Sequence, residues 1–231
     1  MTWRLLSNGL LILIISMSIF TTGYYIFRSI TAFNPHAYST TSNKASENIS
    51  EFDVKISAPI NGVYHGANPG FGGTEDEVTT ERIVNYEKVS GKKIAWAYFS
   101  NNWINDIDFP EESVRMIDSL DTVPYIRMMP RPTFDQGETD PVYTLQGIID
   151  GDFDDSLIEW ARDVKRTNIP LMVEFGTEVN GDWFPWSGIL NGGGETEEYG
   201  DPNIADGPER FRDAYRHIID LFRNEDVNNI T

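Results

Sequence analysis

An α/β fold of the (β/α)8 TIM-barrel type, represented by its first four βα units and preceded by an N-terminal transmembrane helix, is what the sequence predicts. Three observations lead there. Short strand-like runs alternate four times with amphipathic helical segments, the polar and aromatic residues of chemical interest gather in the loops after the strands, and an uncharged apolar stretch runs from Leu5 to Phe27. Crossovers of helical length imply parallel strands, and in a barrel the loops after the strands carry the chemistry.

The elements follow in order. Residues 1–30 read as a transmembrane segment: Arg4 precedes a stretch close to the ~20 residues a bilayer-crossing helix needs, and Tyr24 and Tyr25 suit an interface. No A-x-A-like cleavage site follows it, which favours an uncleaved signal anchor over a cleaved signal peptide. Residues 31–57, rich in Ser, Thr and Asn, read as a linker. The domain over 58–231 begins with GVYHGA (62–67) as a strand, and a helix follows over about 75–90, closed by Gly91. IAWAYFS (94–100) is the second strand, and PEESVRMIDSL is a helix with Pro110 and glutamates at its start. VPYIRMM (123–129) is the third. A long loop leads to SLIEWARDVKRTN, whose Leu157, Trp160, Ala161 and Val164 share a face. PLMVEF (170–175) is the fourth strand, and PERFRDAYRHIIDLFRNED the fourth helix, with Phe211, Ala214, Tyr215, Ile218, Ile219 and Phe222 inward.

An open doubly wound sheet is the competing architecture. It loses its main support because no G-x-G-x-x-G follows the first strand. The loops favour the barrel: His65 and Asn68 come after the first strand, Asn101, Asn102 and Trp103 after the second, Arg127, Arg131 and Phe134 after the third, and Glu178 to Trp186 after the fourth. A barrel needs eight units and typically about 250 residues. The sequence reaches VNNIT where a fifth strand would start, so the expectation is an N-terminal portion of a longer protein, or a chain whose barrel a second chain completes.

Composition narrows the function. Acidic residues number 36 against 18 basic ones, for a formal net charge of −18. Nucleic acid is therefore a poor partner, since its phosphates would be repelled by such a surface. With no cysteine there is no disulfide framework, thiolate nucleophile or Cys-based zinc site. The acidic loop 195–206 lacks ordered calcium-loop spacing, so no metal is expected. Asn48 and Asn229 head formal glycosylation sequons. With the N-terminal anchor, the acidic remainder is expected outside the cytoplasm, membrane-anchored, or secreted if the segment is cleaved.

The most informative stretch is GTEVNGDWFPW, residues 176–186. Asp182 and Pro185 break any regular period, so Trp183, Phe184 and Trp186 stand on a loop beside Glu178 and Asn180. Aromatic faces stack on sugar rings, amides and carboxylates read hydroxyls, and a glutamate partly withdrawn from water suits a general acid for glycosidic bond cleavage. The alternative on the same residues is a solvated glutamate beside a loop core.

From GVYHGA to VNNIT the chain resembles the first half of glycoside hydrolase family 26, retaining barrel enzymes acting on β-mannans, mixed-linkage β-glucans or β-xylans. The family pattern at the fourth strand is close to R-x-x-H-E-M-N-G-x-W-F/Y-P-W, and this chain reads EFGTEVNGDWFPW. TLQGIIDGDFDDSLIEWARDVK and YRHIIDLFR also resemble the family. The resemblance implies that Glu178 is the acid/base and that Asn180, Trp183 and Trp186 bind substrate, with no cofactor needed and a polysaccharide as the partner. Thr177 stands where the family has histidine, and Glu174 where it has arginine. Retention needs a second carboxylate about 5–5.5 Å away, which the resemblance places on a seventh strand, beyond Thr231. Glu174 looks too distant, since four residues of extended strand span about 13 Å. Trp103 is expected as a subsite wall and His65 as a sugar contact, Arg127 as the partner of an acid, and His217 as structural. A reading from a different class is a non-catalytic glycan-binding or surface-assembly protein built on this fold.

Overall fold

Parallel pairing dominates the computed structural model, which describes residues 56–231, all within one compact unit. The expected anchor over 1–30, and the linker over 31–57 except its last residues, lie outside the described residues. Among the described residues no helix is long and apolar enough to cross a membrane.

Four strands pair in the order of the sequence: β1 (Gly66–Ala67), β2 (Trp96–Asn102), β3 (Val123–Met129) and β4 (Met172–Phe175), every neighbouring pair parallel. Between them run helices α1 (Thr80–Ser90), α2 (Glu111–Asp118), α3 (Leu145–Asp150) and α4 (Asp154–Thr167), and α5 (Asp206–Asn224) follows β4. Beyond α5, Ile230 forms a parallel bridge with Leu171, just ahead of β4. The Val173 amide also donates to the Thr231 carbonyl.

Capping explains where the helices begin and stop. Thr79 accepts the Arg82 amide at the start of α1, and Gly91 closes it in the left-handed region. Paired aspartates, Asp154 and Asp155, occupy the first turn of α4, which ends at left-handed Asn168. Two departures from the sequence reading stand out. The first helix starts at Thr80 and not near 75, because the chain first makes a left-handed turn at Glu75. The long loop after β3 contains α3, a single short helix capped by Thr144, whose hydroxyl accepts the Gly147 amide.

The two faces of the sheet differ. Ala97, Phe99, Ile126, Met128 and Phe175 are buried, whereas the alternate positions Trp96, Tyr98, Tyr125, Arg127, Met172 and Glu174 are partly exposed. The helices form one layer: α1 packs on α2, α2 on α4, and α4 on α5. Trp160 of α4 stacks on Phe222 of α5 at 5.2 Å, meets Phe109 edge-on, and donates its indole N–H to Asn101 Oδ1. Leu157, Ala161 and Val164 are buried as their spacing predicted, but on α1 only Ile83 is, with Val84 and Val89 exposed. Asn229 is also buried, its amide donating to the Val164 and Ile169 carbonyls, so in the fold its sequon offers no free nitrogen for a glycan.

Candidate functional site

The partly exposed sheet face carries a charge cluster at the C-terminal end of the strands. Strand register places Ser100, Arg127 and Glu174 side by side. Arg127, with only 11% of its side chain exposed, is the hub. Its Nε donates to Glu174 Oε1 at 3.0 Å, its Nη1 to Glu75 Oε2 at 2.6 Å and its Nη2 to Thr177 Oγ1 at 2.9 Å. Glu178 Oε1 lies 3.8 Å from Nη2. Tyr98 packs its ring 5.2 Å from the guanidinium carbon, a cation–π contact. Tyr125 donates its hydroxyl to Glu174 Oε2 at 2.7 Å.

Backbone geometry brings the carboxylates here. Glu75 belongs to the loop after β1, and its carbonyl accepts the Ser100 amide at 2.8 Å while its carboxylate accepts the Ser100 hydroxyl at 3.1 Å. That loop thus docks on the end of β2, and β1 stays only two residues long. Beyond β4 the chain leaves the extended conformation at Gly176 (φ 60°) and again at Glu178 (φ 54°). This turn overturns the extended-strand estimate for Glu174. Glu75, Glu174 and Glu178 all contact one guanidinium, so any two of them have oxygens within about 9 Å of each other.

The aromatic loop supports the same turn. Trp183 donates its indole N–H to Glu178 Oε2 at 2.9 Å, and Trp186 donates its own to the Thr177 carbonyl at 2.8 Å. Phe184 stacks on Trp186 with ring centroids 4.5 Å apart. Gly181 closes the turn by donating to the Glu178 carbonyl, and a Cβ there would meet the Trp183 ring at 2.5 Å, so only glycine fits beneath that indole.

Of the residues singled out in the sequence, Glu178, Asn180 and Trp183 lie together and exposed on this turn. Trp186 is 2% exposed and Trp103 0%, so neither presents a face to a sugar. Both indoles fill the core instead, Trp186 behind Phe184, and Trp103 edge-on to Tyr143 and tilted against Phe175. His65 stands at the opposite end of the sheet. Its carbonyl accepts the Ala95 amide, about 16 Å along β2 from the level of Arg127, and its ring stacks on Tyr86 of α1. Arg127 pairs with acids as expected, and His217 bonds Asp154 across α5 and α4 at 2.6 Å.

Sequence reasoning missed Glu75, Tyr98 and Tyr125. Tyr98 and Tyr125 sit two residues before Ser100 and Arg127, and period-two alternation along β2 and β3 was the signal for them. Nothing local marks Glu75, because its partners are 25 and 52 residues away in sequence. Burial, then the Glu174 bond, pushes the Tyr125 phenol well above its ordinary range. Burial, then Glu75, pushes Tyr98 up as well. Both therefore remain donors at neutral pH. Among the described residues no group of three or more His, Asp or Glu is arranged to hold a metal ion.

No protein-family model matches this chain, and no curated protein matches it.

Proposed function

We propose that this chain is a β-glycan hydrolase, cleaving O-glycosyl bonds in β-mannan, mixed-linkage β-glucan or β-xylan with retention, and that Glu178 is its general acid/base. The observation that carries the reading is the placement of Glu178. It is a half-exposed carboxylate on a left-handed turn at the C-terminal end of a parallel strand, bonded by an exposed indole and facing a largely buried arginine. Glu178 would protonate the leaving oxygen and later take a proton from water, while Trp183 offers its ring and Asn180 its amide to the sugars.

The barrel architecture belongs to the same proposal. It is supported by strand order that follows the sequence, by helices in one layer, and by a second sheet face carrying tyrosines, an arginine and a glutamate. A doubly wound sheet would place helices on both faces. Glu75 and Glu174 come near Glu178, but each is already held by Arg127 and by a hydroxyl, from Ser100 and Tyr125 respectively. Carboxylates so engaged are weak nucleophiles, so the seventh-strand carboxylate implied by the family resemblance keeps that role. Residues 1–30 would anchor the domain at a membrane, on its extracytoplasmic side.

A binding protein without catalysis is the second reading, favoured by one observation: Thr177, in the position of the family's histidine, spends its hydroxyl on Arg127. Reducing-sugar release from the three polysaccharides by the full-length gene product and its Glu178→Gln variant separates the two. Activity lost at least 100-fold in the variant supports the hydrolase. Absence of activity in both, with polysaccharide still bound, refutes it and leaves the binder.

A further inference from the structure

Beside the Glu178 turn stands a second arginine whose environment the proposed hydrolysis does not use. Arg131, just past the end of β3, is 8% exposed. Its guanidinium carbon lies 4.7 Å from the centre of the Phe134 ring and 5.4 Å from that of Phe184. Phe184 in turn meets Trp183, the indole bonded to Glu178, edge-on at 6.5 Å. Arg131 is therefore linked to the proposed acid/base through two rings of the aromatic loop, Phe184 and Trp183.

Its hydrogen bonding is incomplete in a telling way. Nε donates to Asn102 Oδ1 at 2.9 Å, and no carboxylate lies within ion-pair distance of it among the described residues. Two carboxylates act on it only from longer range, Glu75 first and then Asp76, the latter one amide removed because Asn102 Nδ2 donates to Asp76 Oδ2 at 3.2 Å. Among the described residues neither terminal nitrogen of Arg131 has a hydrogen-bond partner, and neither is sealed from solvent. A guanidinium presents paired N–H groups matched to a carboxylate. Here two aromatic rings hold that fork rigid in a strongly acidic chain, where carboxylate partners are abundant. Phe134 remains 44% exposed beside it, which leaves ring surface for a sugar.

We propose, resting on the hydrolase reading above, that Arg131 and Phe134 form a subsite for an acidic sugar. The polysaccharide bound by this chain carries uronic acid units, whose carboxylate pairs with the free Arg131 nitrogens while Phe134 takes the ring.

The test uses matched pairs of polymers: glucuronoxylan against its carboxyl-reduced form, and C6-oxidised mixed-linkage glucan and mannan against their untreated forms. Affinity is read by gel retardation with the full chain, its Arg131→Gln variant and its Arg131→Lys variant. The expected result is about tenfold tighter binding of the acidic member of at least one pair, weakening as salt rises. Arg131→Gln abolishes that preference without changing affinity for the neutral member. Arg131→Lys keeps part of it, and its retained cation covers the case in which the glutamine variant fails to fold. Equal affinity within every pair overturns the acidic subsite and leaves the hydrolase reading standing. Equal weakening of both members by Arg131→Gln also overturns it, as a packing effect. Binding of no polymer by the unmodified chain overturns both.

Discussion

Replacing Arg127 by methionine keeps the length of the stem but removes the cation, and with it the guanidinium contact over Tyr98. It leaves Glu75 and Glu174, each about one third exposed, facing each other across the vacated guanidinium position. The oxygens that Arg127 now holds are within about 8 Å of each other, where two unit charges repel by at least roughly 0.5 kcal/mol in a water-like medium and about 2 kcal/mol at an effective dielectric of 20. Breaking a fully buried pair costs about 3–5 kcal/mol, and the exposure of these partners lowers that. The two routes converge on a loss of about 2–4 kcal/mol at pH 7. Against a typical total of about 5–15 kcal/mol, such a loss is large.

The assay is urea unfolding of the full chain in mild detergent, followed by tryptophan fluorescence at pH 7. Combining Arg127→Met with Glu174→Gln should recover about half the loss at pH 7, because one of the two facing charges is gone. A loss under about 1 kcal/mol at pH 7, or no recovery on adding Glu174→Gln, would refute the view that Arg127 holds three carboxylates together.

Two further outcomes follow from the same geometry. At Gly176→Ala, the left-handed backbone costs about 1–2 kcal/mol, and the new Cβ would meet Phe211 Cε2 at 2.7 Å and Trp186 Cδ1 at 3.0 Å. A total of about 2–4 kcal/mol is expected from urea midpoints, and a change within about 0.5 kcal/mol would show that the turn before Glu178 is not held as described. In Tyr125→Phe the bond to Glu174 is lost, at about 1–2 kcal/mol near neutrality. Because the folded Tyr125 pKa is raised, that bond's contribution is fully present below the ordinary tyrosine value of about 10 and is lost as pH rises through the folded value. Unfolding measured from pH 8 to 11 should therefore show the deficit of Tyr125→Phe shrinking toward the alkaline end, and a deficit that grows there would contradict the assignment.

What the sequence made legible was whatever depends on local period. Strand β3 matches its expected span of 123–129, and the inward face of α4 is the one that spacing indicated, because apolar periodicity is a property of neighbours. The aromatic loop was legible as composition but not as burial. Trp183, Phe184 and Trp186 have much the same apolar character, and only the turn at Glu178 decides that Trp183 faces solvent while Trp186 points inward. Trp103 was misplaced for a similar reason. Following a strand does not fix the direction of a side chain, and its backbone amide bonds the Met129 carbonyl and carries the sheet pattern one residue further. Glu174 was misjudged because an extended chain was assumed through two residues, Gly176 and Glu178, that turn back.

The left-handed residues sort by cause, and the sorting bears on function. Among the non-glycine residues with positive φ, Asp121, Asn168 and Asp226 lie just after α2, α4 and α5, where a chain leaving a helix commonly adopts that conformation. Glu75 and Glu178 follow strands, and no helix exit accounts for them. Each carries a cost of about 1–2 kcal/mol that glycine would avoid. In both cases what the side chain supplies is a carboxylate turned toward Arg127, at 2.6 Å from Glu75 and 3.8 Å from Glu178. Backbone strain gathered around one largely buried cation at the C-terminal end of a parallel sheet is how a functional site differs from a solvated charged surface, since surface glutamates that merely aid solubility would sit equally well in ordinary conformations. The same contrast separates the two arginines. Arg127 is spent on holding that cluster, whereas Arg131, braced by Phe134 and Phe184 and bonded to Asn102, makes no ion pair among the described residues, which is why the acidic-sugar proposal rests on it.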